Sequence, residues 1–364
     1  MTQIRYVVSS HTEEEKRASS DLITECFDKA MGIAYENRYN WQFLENPAGT
    51  GSILMAYDGE ELIGQIASIP CKYIFMDRYI PTAIAGEWLC VSPKYRGKGI
   101  MSELIRRITK TEENPFPFVL DLPNKASMNG FLKANYYQMS TKLLTRPLKL
   151  SKCFAYRKIP RIALKPFDGI WKRRESRCRR VRTNIGEFII KEYSLPTFDE
   201  RFDYLFKTAN NRTMIRQVRN SEFLNWRYRN VPGRKYKTII SCGEDGILNG
   251  YVIVKLDVAY GINVGVIMDF VTKDDSESGK NLIRCALEYF WNNDAAVAAA
   301  LCFPNFDEYR ILRKEGFFIC PERIRPNPFT LCIKPFHDKQ NQYDINTITD
   351  SNRWYFMFGD YQVF

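Results

Sequence analysis

The stretch "TAIAGEWLCVSPKYRGKGIMSELIRRI", residues 82–108, joins an apolar run to an amphipathic one through a turn holding two glycines and three cations. Residues 82–91 are apolar enough on both faces to form a central strand. Pro93 ends that strand, and Ile100, Leu104, Ile105 and Ile108 then recur at the spacing of one buried helical face. Gly97 and Gly99 permit backbone conformations that turn successive N–H groups outward just where the helix begins. Uncapped N–H groups with the positive end of a helix dipole behind them make an anion site, to which Arg96 and Lys98 add charge. A pyrophosphate suits such a turn. So does a basic surface connection, and the turn taken alone leaves both open.

Outward from this stretch, alternating and helical periodicities predict the rest of the first half. A strand "IRYVVSS" precedes a helix over 13–31, marked by Leu22, Ile23, Phe27 and Met31, and a short helix over 36–46. Strands follow at 52–57 and 61–75, turning at Asp58-Gly59, and lead to the opening stretch. A strand over 116–122, a helix over 126–134 and strands over 137–148 close the unit. The order is β-α-α-β-β-β-α-β-α-β-β.

The second half repeats the first. "NWQFLENPAG" (40–49) recurs as "NWRYRNVPGR" (225–234), "YDGEELIGQ" as "GEDGILNGY", and "LPNKASMNGFLKANYY" (122–137) as "FPNFDEYRILRKEGFF" (303–318). The matches keep their order, which points to a duplicated domain. Trp41 and Trp226 fall at matched positions and read as core anchors of the repeat. Residues 1–150 and 185–364 are thus two units, joined by a connector at 151–184. The net charge of +11 resides almost wholly around that connector, because residues 141–184 hold fifteen Lys and Arg against Asp168 and Glu175. Its run "WKRRESRCRRVR" (171–182) suits nucleic acid or an anionic membrane surface, but such runs are more often solvated, so neither partner is favoured.

With 364 residues, 45% hydrophobic and 26% charged, the chain has the composition of a soluble globular protein. The first residues carry no apolar leader and the longest apolar run, 295–303, is too short for a bilayer, which predicts a cytoplasmic location. Ten cysteines form no C-x-x-C pair and do not cluster with the two histidines, His11 and His337, so neither a metal nor a disulfide framework is expected.

The turn, the strand before it, the helix after it and the Asn124 to Tyr137 stretch beyond resemble the Gcn5-related N-acetyltransferase (GNAT) superfamily. Arg96, Gly99 and Met101 stand at the three fixed positions of that family's R/Q-x-x-G-x-G/A signature, with Met101 replacing a small residue. The resemblance implies an α/β fold of two tandem GNAT-like domains, each a mixed, mostly antiparallel sheet flanked by helices. It also implies acetyl-CoA, or another acyl-CoA, as co-substrate, with the fourth strand splaying from the fifth to admit pantetheine. The contacting positions it implies are Cys90, Val91, Arg96, Gly97, Lys98, Gly99, Ile100, Met101, Ser102, Asn124 and Phe131. Phe131 stands where many members carry a tyrosine that protonates the departing thiolate; Tyr136 is a nearby replacement.

Glu87 is the candidate base for an attacking amine, since alternation places it on the face of Val91 and a carboxylate in an apolar strand tends to have a raised pKa. A strand-end ion pair is the equally weighted alternative. In the second half, Asp269, Asp274, Asp275 and Glu277 surround the matching helix start, which predicts that this half does not bind CoA in the usual way. The expected reaction is acyl transfer, by direct attack, to a small-molecule amine. The closing "RWYFMFGDYQVF" reads as a docked strand or lid and resembles that of tandem GNAT-like proteins from bacterial polysaccharide loci, which adds an amino sugar to the candidate acceptors. The alternatives are a non-catalytic CoA-binding sensor and an aminoacyl-tRNA-dependent transferase of the kind that builds peptidoglycan bridges.

Overall fold

The computed structural model describes residues 3–75, 78–109, 116–153, 184–185, 188–192, 197–209, 215–273, 277–325, 329–336 and 344–361. The basic run 171–182 and His337 lie outside the described residues.

Strand β1 (Arg5–Val8) leads into α1 (Glu13–Cys26), which opens on a capping box between Thr12 and Glu15. The single helix expected over 13–31 is instead two. Asp28 accepts a hydrogen bond from the Met31 amide at 2.8 Å and so restarts the chain as α2 (Lys29–Tyr39), running into a π-turn over Asn40–Leu44. The first half continues with β2 (Ser52–Asp58), β3 (Glu61–Phe75), β4 (Arg78–Val91), α3 (Ile100–Ile108), β5 (Phe118–Asp121), α4 (Met128–Lys133), β6 (Tyr137–Ser140), β7 (Lys142–Pro147) and α5 (Leu150–Cys153). The second half repeats the plan: β8 (Asn184–Ile185), β9 (Phe188–Glu192), α6 (Glu200–Thr208), β10 (Arg216–Gln217), α7 (Ser221–Leu224), β11 (Lys237–Gly243), β12 (Leu248–Ala259), β13 (Ile262–Thr272), α8 (Glu277–Asn292), β14 (Val297–Cys302), α9 (Asp307–Lys314), β15 (Phe318–Ile319), β16 (Thr330–Pro335) and α10 (Ile345–Thr349).

Two sheets result, and each takes strands across the halves: the first holds β10 and β16 of the second half, the second holds β7 of the first. The first runs β1-β2-β3-β4-β5-β16-β6, with β10 against β3; the second runs β15-β7-β14-β13-β12-β11-β9-β8. Thus β16 enters the first sheet between β5 and β6, while β7 enters the second between β14 and β15. Within each sheet every pairing is antiparallel except β4 with β5 and β13 with β14. The α/β architecture of two mixed, mostly antiparallel sheets is the expected one. The exchange of closing strands was not legible in the sequence, since β6 and β7 are separated by a single residue and are expected only as strands closing one unit over 137–148.

The halves also meet through their two matched tryptophans. The rings of Trp41 and Trp226 stack 4.6 Å apart at 14°. Each indole N–H donates to the other residue's carbonyl, at 2.7 and 2.8 Å. Around them one hydrophobic core joins Ile84, Phe118 and Leu120 of the first sheet to Tyr251, Phe270 and Trp354. A second core packs the first sheet on α3 and α4, and a third packs its other face on α1 and α2.

Candidate active site

Strands β4 and β5 pair only through Ala83 with Val119 and Ile84 with Leu120. Beyond Ile84, β4 runs on to Val91 while β5 ends at Asp121, so a gap opens between them. Ser92 N–H donates to Ile63 O of β3 at 2.9 Å. In extended backbone the preceding amide points the other way, so the Val91 N–H faces the gap. This is the splayed geometry the family resemblance implies.

At the end of β4 the chain makes a 3-10 turn over Pro93–Tyr95 and then Gly97 and Gly99 at φ of 79° and 81°. Both values lie in the left-handed region, and a Cβ on either glycine would meet nothing within 4 Å. The glycines are therefore set by conformation rather than crowding, and open space lies over them. Gly99 is the N-cap of α3 and no side chain caps that helix, which leaves the amides of Ile100, Met101 and Ser102 without a side-chain acceptor. Arg96 Nε donates to Val91 O at 3.2 Å, holding its guanidinium beside the turn, and the Lys98 ammonium rests 4.5 Å from the centre of the Tyr95 ring. An anion of pyrophosphate size fits this cradle. Met101, the departure from the signature, does not obstruct it. Its Cε would lie 3.2 Å from a Cβ at Gly130, so the side chain is turned back onto α4, which needs a glycine there to admit it.

Glu87 requires a correction. Gln65 pairs with Cys90 and Ala67 with Glu87, so two steps along β3 face three along β4 and a bulge lies between. Trp88 forms it with φ of 54°, its indole N–H held by Gln42 Oε1 at 2.8 Å. The extra residue reverses the alternation, and Glu87 lies on the opposite face from Val91, which packs with Ile100 and Leu104. Cys90 likewise faces the α1 and α2 side. Glu87 is 8% exposed. Burial raises its carboxyl to about 7, opposed in part by Arg234 and Arg227.

Asp121, at the tip of β5, is a second acid in the gap, and the sequence reading missed it. It is 5% exposed, and its Oδ2 has no hydrogen-bond partner among the described residues. Burial, and then the charge of Glu87, hold its carboxyl well above the usual range. Gly86 makes room for it, since a Cβ there would land on the carboxylate. Tyr136 is 4% exposed and its hydroxyl is also unpartnered; burial and then the Asp121 charge raise it well above 10.

Phe131 is buried edge-on to Tyr136, ring centres 5.1 Å apart, and so belongs to the wall of the site. The Asn124 carboxamide oxygen accepts from the amides of Ala126 and Ser127 at 2.9 and 3.0 Å, which shapes the turn into α4. Two groups reach the site from beyond the first half. Arg227, matched with Gln42 by the repeat, donates to Gly359 O and Tyr361 O at 3.1 Å, and Tyr361 Oη donates to Leu122 O at 3.4 Å.

The second copy has closed each of these features. Asp269 pairs with Ile253 as Glu87 pairs with Ala67, although the ladder from Thr272 to Asp269 lacks the bulge that Trp88 makes; Arg219 Nε donates to both Asp269 oxygens at 2.9 Å, and Arg219 Nη2 holds Asp360 at 2.7 Å. It is a buried ion pair rather than a free acid at the helix start. Helix α8 begins at Glu277 and takes in Gly279, the match of Gly97, where a Cβ would meet Ile311 at 2.7 Å. Glu277 pairs with Lys280 at 2.9 Å; Asp274 and Asp275 lie outside the described residues. The turn Phe358–Asp360 packs on β13 and β14 where these part, with the Gly359 position against Met268 O. Among the described residues no cluster of three metal-binding side chains occurs, and no helix is long and apolar enough to cross a membrane.

A family model described as "Acetyltransferase (GNAT) domain" matches residues 8–130. A GCN5-related N-acetyltransferase from Anabaena variabilis is 14% identical, with 91% of this chain and 73% of that one covered at a TM-score of 0.60. A probable N-acyltransferase from Enterococcus faecalis is 14% identical, covering 92% and 71% at 0.56. Yeast N-myristoyltransferase with bound myristoyl-CoA is 13% identical, covering 98% and 90% at 0.60. A search of curated proteins returns no match. At these identities the structures speak to fold alone. Residues 8–130 are thus a GNAT domain, set in a two-sheet fold that the chain shares with structures of N-acyltransferases along nearly its whole length.

Proposed function

We propose that the protein transfers an acetyl group from acetyl-CoA to a primary amine of a small acceptor by direct attack. The observation that carries this reading is the union of an uncapped, positive-φ glycine turn at the start of α3 with an open gap between β4 and β5. The turn's amides and Arg96 hold the pyrophosphate, the gap receives the pantetheine arm, and the Val91 N–H meets the developing oxyanion. Glu87 accepts the amine proton, with a pKa raised close to neutral by its burial. The bulge at Trp88 turns it from the Val91 face toward Arg227 and the segment ending at Tyr361, and the acceptor amine enters from that side.

Calorimetry with acetyl-CoA should give saturable binding that the R96A variant weakens about tenfold, the loss of one charge-assisted contact to phosphate. Thiol release is then read with glucosamine, spermidine and a lysine peptide as acceptors, and with longer acyl-CoA donors in parallel, since the myristoyl-CoA-bound relative makes chain length a variable. Absence of saturable binding by any acyl-CoA would sink this reading.

A further inference from the structure

We propose that Asp121 is the general acid of the reaction, the proton donor to the departing thiolate in place of the tyrosine that Phe131 replaces. The inference rests on the acyltransferase reading above.

Asp121 ends β5 at the point where the gap opens, its carboxyl lies against Gly86 of β4, and no side chain at position 86 would leave room for it. Oδ2 is buried without a partner among the described residues, which is costly for a carboxylate and favours a neutral acid with a proton to give. The titratable groups around it are Glu87 on β4, Cys332 on β16, Tyr136 before β6 and Tyr361 at the far end of the chain. None is a cation, and the Leu122 amide, which favours ionisation, is outweighed by burial and the Glu87 charge. Tyr136 also carries a proton, but its acidity is pushed further from that of a thiol, whereas the same burial moves a carboxyl toward it.

The proton accounting closes. The neutral amine attacks the acyl carbon and a C–N bond forms. Glu87 takes a proton from the nitrogen, the C–S bond breaks, and its electron pair on sulfur takes the proton of Asp121. The products are an amide and a free thiol; Glu87 then gives up its proton to water and Asp121 takes one up, which restores both groups. Two buried acids with unequal proton affinity, each within the other's field, suit this division.

The test compares Asp121→Asn with the unmodified protein, using hydroxylamine as acceptor and two donors, acetyl-CoA and 4-nitrothiophenyl acetate. The aryl thiolate leaves without a proton, so the acid matters only for the first donor. The expected result is a fall in kcat with acetyl-CoA of about 100-fold at unchanged KM, and a deficit at least about tenfold smaller with the aryl thioester. Tyr136→Phe should show no such dependence on leaving group. Infrared difference spectra at pH 8, where Glu87 is ionised, should hold a carboxylic acid band that D121N removes. Gly86→Ala, which displaces the carboxyl without changing its charge, should repeat the kinetic pattern should D121N fail to fold. Equal deficits with both donors, a leaving-group effect that follows Tyr136 instead, or no lost infrared band would overturn the inference. An unmodified protein that binds acetyl-CoA but releases no thiol would overturn the acyltransferase reading and this inference with it.

Discussion

Replacing Glu87 with glutamine should make the protein more stable at alkaline pH while it stops acyl transfer. Burial raises this carboxyl from 4.5 to about 7, so between these values the native state holds a proton that the unfolded chain has lost. Stability therefore falls as pH rises through this window and levels off above it, the reverse of a salt-bridged acid. At about 1.4 kcal/mol per unit, the shift amounts to about 3 kcal/mol at pH 8. Glutamine removes the titration and keeps the shape. Urea unfolding of E87Q and the unmodified protein should give similar midpoints near pH 4.5 and diverge by pH 8, with E87Q the more stable by about 2 to 3 kcal/mol. Thiol release with an amine acceptor should drop by about 100-fold over the same range. A variant that keeps its activity, or a stability difference that does not grow with pH, would refute the assignment of Glu87 as a buried, unneutralised base.

Gly99→Ala forces a side chain into φ of 81°, which should cost about 1 to 2 kcal/mol and weaken acetyl-CoA binding, both read by thermal melts with and without ligand. Met101→Ala should lower stability by about 1 to 2 kcal/mol through lost packing on Gly130 yet leave the KM for acetyl-CoA unchanged, since the side chain faces α4. Arg219→Met strands Asp269 and Asp360 in the core and should cost about 3 to 5 kcal/mol in urea unfolding. Trp226→Phe removes one of the two reciprocal indole bonds and leaves the Trp41 carbonyl unmet, with an expected loss of about 1 to 3 kcal/mol in urea unfolding.

The first sheet was legible because its strands and helices carry their own periodicity. Ile100, Leu104 and Ile105 are fully buried as their spacing predicts, and the glycine turn has the backbone that its residues allow. What escaped is what depends on distant chain. The face of Glu87 could not be read by alternation, because one residue, Trp88, is held at positive φ by Gln42, and nothing in the local pattern signals that bond. Asp121 was hidden by brevity, since in a four-residue strand a single acid looks like a strand end. A glycine at 86 facing an acid is a signal only once β4 is known to lie beside β5. Arg227 reaches the site through the contact of the Asn225–Arg229 turn with the first half, and Tyr361 through the docked final segment, neither of which local sequence encodes.

The two copies make the same fold serve opposite ends. Asp269 and Glu87 occupy one position in the repeat, opposite Ile253 and Ala67 and both buried, and the fold tolerates an acid there when Arg219 neutralises it. The first copy places Arg227 at a distance instead and leaves Glu87 without an ion-pair partner among the described residues, at a standing cost in stability. Gly97 faces open space where Gly279 is packed inside a helix, and the gap that Phe358–Asp360 fills beside β13 stays clear of that segment beside β4. Each difference closes in one copy a feature that the other keeps open, although the shared core and the exchanged strands would be satisfied either way. The second half is therefore more than a remnant: it supplies β16 to the wall behind Asp121, Arg227 to the field at Glu87, and the closing segment that brings Tyr361 to the end of β5.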